Sequence, residues 1–306
     1  MGGAEVVPPT TVAAAIITYN RAAVLRQSLS ALLYQTRPLD EIVVIDNASS
    51  DGTRELVSRE FPSVRLVRMP ENTGAAGGFA AGLREGVART HDWVWVFNDD
   101  DVPEPDALER MLTAAEHLPA RTGVIGCARR AADGAIHPLG AQWRHRHVPV
   151  ERADPTSPPL PIDVVTLSGT LVSADAVRQV GVPREDYFMM IEDLEYCLRV
   201  RRAGWMIYVV PRPLTTSHNL GSHGSSPPWR GYYQTRNQLA MSLQHRSPQE
   251  MFWWFVRTTK FCYGALRTAD RPAERTRLRA LGAWHALRRV SGRTVLPTSS
   301  DSDQPT

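Results

Sequence analysis

Short apolar runs alternate with helix-like segments along the first hundred residues. The run Val12–Thr18 is continuously apolar and predicts a buried strand. The segment Ala22–Gln35 then places apolar residues at helical spacing, which predicts a helix. The alternation continues through further predicted strands at Glu41–Ile45, Val64–Val67 and Trp93–Phe97. Strands that alternate with helices predict an α/β fold in which a mostly parallel sheet carries helices on both faces.

Polar residues follow three of these strands at the point where each strand ends. They are Thr18–Asn20, Asp46-Asn47 and Asn98–Asp101. In parallel sheets of this type the ligand lies beyond the carboxyl ends of the strands. We therefore expect these polar side chains to converge on one crevice.

The remaining pattern predicts one large domain with a helical addition. We assign 11–245 to the catalytic domain and 246–293 to a helical, aromatic and basic C-terminal segment, while 1–10 and 294–306 are loose tails. Within the domain, Ala131–Asp163 is a loop-rich insert. The later predicted elements are strands at Thr166–Val172 and Met206–Val210 and helices from about Asp175 and at Glu192–Arg202.

Composition and charge exclude several classes of protein. The 306 residues are 42% hydrophobic and 22% charged, which is typical of a folded globular chain. The net charge of +3 is too small to indicate a nucleic-acid partner. No apolar run reaches the roughly 18 residues that span a bilayer, and the first residues do not resemble a secretion signal. Three widely separated cysteines fit a reduced, cytoplasmic protein.

Asp99, Asp100 and Asp101 are the first candidates for chemistry. If the strand continued through them, Asp99 and Asp101 would point to one side and Asp100 to the other. Two carboxylates at that spacing suit Mg²⁺ or Mn²⁺, which prefer oxygen ligands. Such a cation would stabilise the charge on a departing diphosphate. The alternative is helix-capping chemistry ahead of Pro103 and Asp106.

A second acidic cluster, Glu192, Asp193 and Glu195, begins a predicted helix. Direct displacement of a diphosphate by a hydroxyl needs a carboxylate base near the acceptor oxygen. Crowding raises the proton affinity of a carboxylate, whereas a helix N-terminus favours its anion. The alternative is that the acids merely stabilise the helix start.

Asp46 lies where a nucleotide base would bind, and a carboxylate accepts hydrogen bonds from base N–H groups. Its alternative role is to cap the turn that follows it. The glycine-rich run from Asn72 through Gly74 to Gly78 allows a close backbone approach but does not match the dinucleotide-binding pattern. His218 follows the last strand in a polar loop, where a lone histidine is ordinarily a surface or core residue.

Together these motifs resemble the family-two inverting glycosyltransferases of GT-A fold. The resemblance covers roughly residues 11–220. It rests on Ile17–Asn20, Val44–Thr53, Asn72-x-Gly74, Asp99–Asp101 and Glu192-Asp193-x-Glu195. The glycine-rich run, the three aspartates and Tyr232-Tyr233-x-x-Arg236-Asn237 are most similar to the actinobacterial galactofuranosyltransferase and rhamnosyltransferase branch.

The resemblance implies roles for individual residues. Asp193 would be the catalytic base. Asp99, Asp101 and His218 would bind the metal, either Mn²⁺ or Mg²⁺. The nucleotide-sugar would contact the remaining positions, with Arg236 facing the diphosphate: Thr18, Asn20, Asp46, Asn72, Gly74, Asp99, Asp100 and Arg236.

The sequence therefore predicts a metal-dependent inverting glycosyltransferase. It would move a sugar from a UDP- or dTDP-linked donor to a sugar, lipid-linked or small-molecule acceptor, in cell-wall, polysaccharide or glycoconjugate synthesis. Two alternatives stay open. A nucleotidyltransferase would also use paired aspartates and a metal, but Tyr19-Asn20-Arg21 is a poor triphosphate-binding loop. A sugar- or lipid-binding protein without catalysis is disfavoured by the intact acidic residues.

The C-terminal segment has two interpretations of equal weight. Met251–Phe255 is aromatic, and the stretch from Arg267 to Arg293 contains eight arginines against Asp270 and Glu274. Aromatic residues and arginines together suit peripheral contact with an anionic membrane, and the resemblance implies that this would be the inner membrane face. Alternatively, the aromatics close the core and the arginines form a solvated helix face.

Overall fold

The computed structural model describes residues 10–143, 147–218, 227–268 and 271–296. The strands are β1 Val12–Thr18, β2 Glu41–Asp46, β3 Arg65–Arg68, β4 Trp93–Asn98, β5 Asp101–Pro103, β6 Thr122–Ala131, β7 Gly140–Trp143, β8 His147–Val150, β9 Leu160–Pro161, β10 Thr170–Ser173 and β11 Met206–Ser217. The helices are α1 Ala22–Leu33, α2 Thr53–Glu60, α3 Gly74–Ala88, α4 Ala107–Glu116, α5 Ala174–Val180, α6 Glu192–Arg202, α7 Pro228–Gln244, α8 Pro248–Thr268 and α9 Pro272–Leu287. A short 3₁₀ turn covers Glu185–Tyr187.

One central sheet organises the fold in the order β3-β2-β1-β4-β10-β6-β11-β5, with β9 paired to β11. The strands β3, β2, β1 and β4 are all parallel, as the alternation of strands and helices predicts. Beyond them β10 runs antiparallel to both β4 and β6, whereas β6 and β11 are parallel. A separate β7–β8 hairpin lies in the predicted insert.

Helices cover both faces of this sheet because neighbouring residues of each strand point to opposite sides. On β1, Ala15 and Ile17 belong to the hydrophobic core that also contains Phe79 of α3. The intervening Ile16 belongs to the core on the other face, with Leu25 of α1. Glycines allow α3 to pack closely. A Cβ on Gly78 would lie 2.4 Å from the Ile17 side chain.

The C-terminal helices pack against one another through α7. Gly282 of α9 packs so tightly that a Cβ there would lie 2.6 Å from the Tyr232 carbonyl oxygen. Across the same contact, the Tyr232 hydroxyl lies 2.6 Å from Nδ1 of His285. No helix within the described ranges is long and apolar enough to cross a membrane.

The elements that were not predicted from the sequence include β5, α4 and β6, and the strands β7, β8 and β9 within the insert predicted as loop-rich. The strand β6 pairs in parallel with β11, which lies far along the chain, and β5 pairs antiparallel with the end of β11. These partners extend β11 to Ser217, beyond the predicted end at Val210. The extension matters for function because it brings Thr215–Ser217 beside the acidic triplet.

Candidate active site

The acidic triplet lies in a turn and not in a continuous strand. The strand β4 ends at Asn98, Asp99 and Asp100 form the turn, and Asp101 begins β5. Because the strand does not continue, the predicted alternation is wrong. Asp99 and Asp100 both contact Arg21 Nη1, at 3.0 and 3.3 Å. Asp101 instead contacts Arg129 Nη1, at 3.2 Å. The triplet therefore presents Asp99 and Asp100 together, and Asp101 apart from them.

Burial makes the triplet electrostatically costly without a ligand. Asp99 is 4% exposed, and burial raises its pKa to about 6, even though Arg21 and a hydrogen bond from Thr18 oppose the rise. Burial also raises the pKa of Asp100, with the neighbouring charge of Asp101 as the second cause. Two arginines that the sequence pattern did not single out, Arg21 and Arg129, partly compensate this negative charge.

The predicted nucleotide side brings Thr18, Asn20 and Asp46 together at the ends of β1 and β2. The Thr18 hydroxyl donates to Asp99 at 2.7 Å, so it holds the triplet against β1. Asn20 accepts a hydrogen bond from the Ser50 backbone N–H at 2.7 Å, which ties the two loops together.

Asp46 is fully buried and has two different carboxylate oxygens. Oδ1 accepts from the Ser49 N–H at 2.8 Å, which is the predicted capping role. Oδ2 has no hydrogen-bond partner and lies 3.8 Å from Nε of Arg68. One oxygen therefore shapes the turn, and the other is free to accept a further hydrogen bond.

The glycine-rich run approaches a backbone carbonyl, as its composition suggests. Asn72 Oδ1 accepts from the Gly74 N–H at 2.8 Å, and the Gly74 carbonyl accepts from Asn47 Nδ2 at 3.0 Å. Gly74 has a φ of +70°, and a Cβ there would lie 2.1 Å from the carbonyl oxygen of Phe188. Asn72 and Gly74 thus connect the end of β2 to the segment that precedes α6.

The second acidic cluster contains one carboxylate in an ion pair and two that each have a buried oxygen without a partner. Glu195 forms an ion pair with Arg199 at 2.8 Å, so it stabilises α6. Glu192 Oε2 and Asp193 Oδ1 are buried atoms without a hydrogen-bond partner. Burial raises the pKa of both groups, and the charge of Asp193 raises the pKa of Glu192 further. A carboxylate with raised proton affinity and a free oxygen is suited to accept a proton.

Two consecutive residues ahead of β10 join this cluster to the triplet. The Leu167 backbone N–H acts on the Asp193 carboxylate and opposes the rise of its pKa. The hydroxyl of the next residue, Ser168, donates to Asp101 Oδ2. Arg129, the ion-pair partner of Asp101, also lowers the pKa of Asp193 through its charge. The two acidic motifs, far apart in sequence, therefore lie near each other.

The residues of the triplet supply few free ligands for a metal. Within the described ranges, no three His, Cys, Asp or Glu side chains form a cluster that could hold an ion by themselves. Asp101 Oδ1 is nevertheless buried and without a partner. The backbone N–H of His218 donates to the Asp100 carbonyl at 3.0 Å, which places this exposed histidine beside the triplet. Mg²⁺ commonly uses one or two carboxylates plus substrate phosphates and water, so the donor set fits a substrate-dependent site.

Arg236 is not where the resemblance implies. Its side chain is 1% exposed, and its Nη1 donates to the Gly292 carbonyl at 2.7 Å. Its Nη2 donates to the Tyr187 carbonyl at 3.0 Å. Because the guanidinium is surrounded by protein carbonyls, we correct the prediction that it faces the diphosphate. Arg230, earlier on the same helix, is the arginine whose charge acts on both Glu192 and Asp100.

Comparison with known proteins identifies the family. Residues 14–178 match the family model described as glycosyl transferase family 2. The N-acetylglucosaminyl-diphospho-decaprenol L-rhamnosyltransferase of Mycobacterium tuberculosis is 29% identical over 245 residues, which cover 69% of this chain and 77% of that protein. Galactofuranosyltransferase GlfT1 of Mycolicibacterium smegmatis is 32% identical over 200 residues, covering 63% of this chain and 66% of that protein.

Solved structures extend the likeness at the level of the fold. A crystal structure of Staphylococcus aureus TarS 1–349 superposes with a TM-score of 0.58 at 15% identity, over 92% of this chain and 82% of that one. Its complex with UDP superposes with a TM-score of 0.54 at 14% identity, over 76% and 66%. The alternatives of a nucleotidyltransferase and of a non-enzymatic binding protein are set aside. The chain belongs to glycosyl transferase family 2, and it is a glycosyltransferase with the GT-A fold.

Proposed function

We propose that this glycosyltransferase is metal-dependent and inverting, and that Asp193 is its catalytic base. The observation that carries the proposal is the linkage through Leu167 and Ser168. Leu167 acts on the Asp193 carboxylate and its neighbour Ser168 donates to Asp101, which supports a position of the unpartnered Asp193 oxygen near the acidic triplet. An inverting transfer needs this arrangement, because the base must act on the acceptor hydroxyl while the diphosphate is held opposite.

Asp193 would take the proton of the acceptor hydroxyl as that oxygen attacks the anomeric carbon. Burial in the crevice raises the pKa of Asp193, while the Leu167 N–H and the charge of Arg129 keep its anion accessible. Glu192, directly before it, has a still more unfavourable environment for its anion because burial and the Asp193 charge act together. Asp193 is therefore the better base of the two.

The triplet would hold a divalent cation together with the donor. Asp101 offers its unpartnered Oδ1, Asp99 is bonded to Thr18 at the end of β1, and the backbone of His218 is bonded to Asp100. A cation bound there would stabilise the negative charge of the leaving diphosphate. Arg21, which contacts Asp99 and Asp100, would then be released to contact the phosphates.

The donor base would lie against Asp46. Its free Oδ2 can accept a hydrogen bond from a pyrimidine N–H, which favours UDP- or dTDP-sugars. The names of the relatives point to rhamnose and galactofuranose as sugars, and one structural neighbour was solved with UDP. We propose a role in cell-wall or related glycan synthesis on this basis.

A panel of nucleotide-sugars tests the function directly. Thermal unfolding is followed with each UDP-, dTDP- and GDP-sugar in the presence and absence of Mn²⁺, and stabilising donors are then incubated with acceptors. We expect pyrimidine donors to stabilise the protein only with the cation, and the product to have the opposite anomeric configuration from the donor. Transfer in excess chelator, or retention of configuration, would overturn the proposal.

The acceptor would be lipid-linked and reached at an anionic membrane surface. On α8 the residues Phe252, Phe255, Tyr263 and Leu266 are between 55% and 66% exposed, and their spacing of three to eight residues places them on one helical stripe. Exposed Lys260 and Arg267 lie on the same helix. The stripe is thus open to solvent, whereas Trp254 packs inward and donates to the Thr235 carbonyl.

Co-sedimentation with anionic vesicles at low salt tests this surface. Basic residues near such a membrane contribute about 1 kcal/mol each, so neutralising Lys260 and Arg267 should weaken binding by about 30-fold. Neutralising two exposed arginines elsewhere, Arg54 and Arg59, is the matched control and should have little effect. Equal losses in both double variants, or no sedimentation of the wild-type protein, would contradict a specific membrane face.

A further inference from the structure

The segment that leads into Glu192 and Asp193 has an unusual backbone. Phe188, Met190 and Ile191 have φ values of +64°, +65° and +75°, although none of them is glycine. A Cβ makes this region of backbone conformation unfavourable, most of all for a β-branched residue such as Ile191. Such a turn persists only where its surroundings hold it. The position of the base therefore depends on contacts from outside the turn.

Asn237 of α7 supplies most of those contacts. Its amide NH₂ group, with one of its two hydrogens shared, donates to three carbonyls of the turn, those of Tyr187 at 3.0 Å, Met189 at 2.8 Å and Met190 at 2.9 Å. The Asn237 side-chain oxygen in turn accepts from Arg236 Nε at 2.9 Å. Both residues are 1% exposed, so water cannot replace these hydrogen bonds without a rearrangement.

The chain after α9 closes the same network from the other side. Arg236 bridges the Tyr187 carbonyl and the Gly292 carbonyl, at 3.0 and 2.7 Å. The Gly292 N–H donates back to the Asp186 carbonyl at 2.6 Å. On the side of the proposed nucleotide site, the Ala76 N–H of α3 donates to the Phe188 carbonyl at 3.0 Å. The turn is thus held between the nucleotide-side helix and the C-terminal segment.

We propose that Arg236 and Asn237 are positioning residues that set the geometry of Asp193, which makes the C-terminal helical segment part of the catalytic unit. This inference rests on the proposed role of Asp193 as the base. The pair touches the turn through its carbonyl groups and has no contact with the ends of β1 and β2 among its described hydrogen bonds. Weakening the pair should therefore lower turnover and leave donor binding unchanged.

The test compares Asn237→Leu and Arg236→Lys with Thr235→Val. Leu matches the shape of Asn but lacks its donors, and Lys keeps the charge of Arg but loses the two-sided bridge. Thr235 is the matched control. It is a buried neighbour on α7 that is bonded to Arg279 at 3.2 Å and does not touch the turn. Each variant is measured for thermal unfolding, for donor affinity by calorimetry and for turnover below its unfolding temperature.

We expect Asn237→Leu to lower turnover by roughly 10- to 100-fold, since a small misplacement of a reacting group has effects of that order. Arg236→Lys should lose less turnover. In both variants the affinity for the nucleotide-sugar should stay within about two-fold of the wild-type value, as expected where only the geometry of the base changes. Thr235→Val should lose stability alone. If Asn237→Leu does not fold, Arg236→Lys carries the same comparison.

A double variant separates this inference from the proposed function. If Asn237 acts through Asp193, Asn237→Leu should cause little further loss of turnover in an Asp193→Asn background. Equal losses in both backgrounds, or wild-type turnover in Asn237→Leu and Arg236→Lys, would overturn the positioning role. Wild-type turnover in Asp193→Asn alone would instead overturn the proposed base.

Discussion

Replacing Asp99 with asparagine should stabilise the protein while abolishing its function. Asp99 is 4% exposed, and its pKa is raised from 3.8 to about 6, chiefly by burial. A raised pKa in the folded state means that ionisation favours unfolding. The stability present below pH 3.8 is lost as the pH rises toward 6. The loss is complete above pH 6, which includes the neutral range.

The size of the effect follows from the shift. A rise from 3.8 to about 6 is roughly two units, and at about 1.36 kcal/mol per unit the buried anion costs about 3 kcal/mol at pH 8. At pH 5 the unfolded chain is ionised and the folded one is mostly not, so roughly half of that cost remains. The substituted asparagine carries no charge at either pH. Asp99→Asn should therefore raise the free energy of unfolding by about 3 kcal/mol at pH 8, and by about half as much at pH 5.

Denaturant or thermal unfolding in chelator at the two pH values measures the difference. Asp51→Asn is the control with the opposite sign, because hydrogen bonds from Thr53 and the Ala22 N–H lower the pKa of Asp51 against the effect of its burial. That substitution should destabilise the protein at neutral pH. If Asp99→Asn is less stable than the wild type at pH 8, or gains equally at both pH values, the electrostatic account of the triplet is wrong.

Further substitutions test other parts of the site. Asp101→Ala should abolish cation-dependent donor binding, measured by calorimetry with Mn²⁺, whereas Asp100→Ala should be milder because Asp101 holds the unpartnered oxygen. Asp46→Ala should weaken UDP binding by about 10-fold or more through loss of a buried hydrogen bond, and tight binding of GDP-sugars by the wild type would contradict this assignment. Gly74→Ala should cost about 2 kcal/mol or more in unfolding experiments, because its φ is +70° and its new Cβ would meet the Phe188 carbonyl; wild-type stability would refute that packing.

The parallel half of the fold could be predicted because its signals are local. β1 matches its predicted bounds at Val12–Thr18, and α6 begins at Glu192 as the acidic start of its helix indicates. Once the strands are ordered, their polar ends must share one edge of the sheet, so the crevice follows from topology. That argument did not include α6, and a role for Asp193 beside the triplet came only from the motif resemblance.

The contacts that set the detailed geometry depend on distant parts of the chain. The strand β5 exists because Asp101–Pro103 pairs with Thr215–Ser217, and this pairing interrupts the expected alternation at Asp99. Arg236 illustrates the same limit. Motif resemblance suggested a phosphate contact, but the carbonyls of Tyr187 and Gly292 surround its guanidinium. A long, flexible side chain contacts the groups that the tertiary structure brings near it, and the local sequence does not show which groups those are.

Turnover and donor affinity of Asp193→Asn test the central claim most directly. Asp175→Asn, an exposed acid in the first turn of α5 that pairs with Arg178, is the matched control and should behave as the wild type. We predict that Asp193→Asn binds the nucleotide-sugar donor with Mn²⁺ as tightly as the wild type, and that its turnover falls by about 100-fold or more. Turnover within a few-fold of the wild type would contradict the assignment of Asp193 as the base on which this account rests.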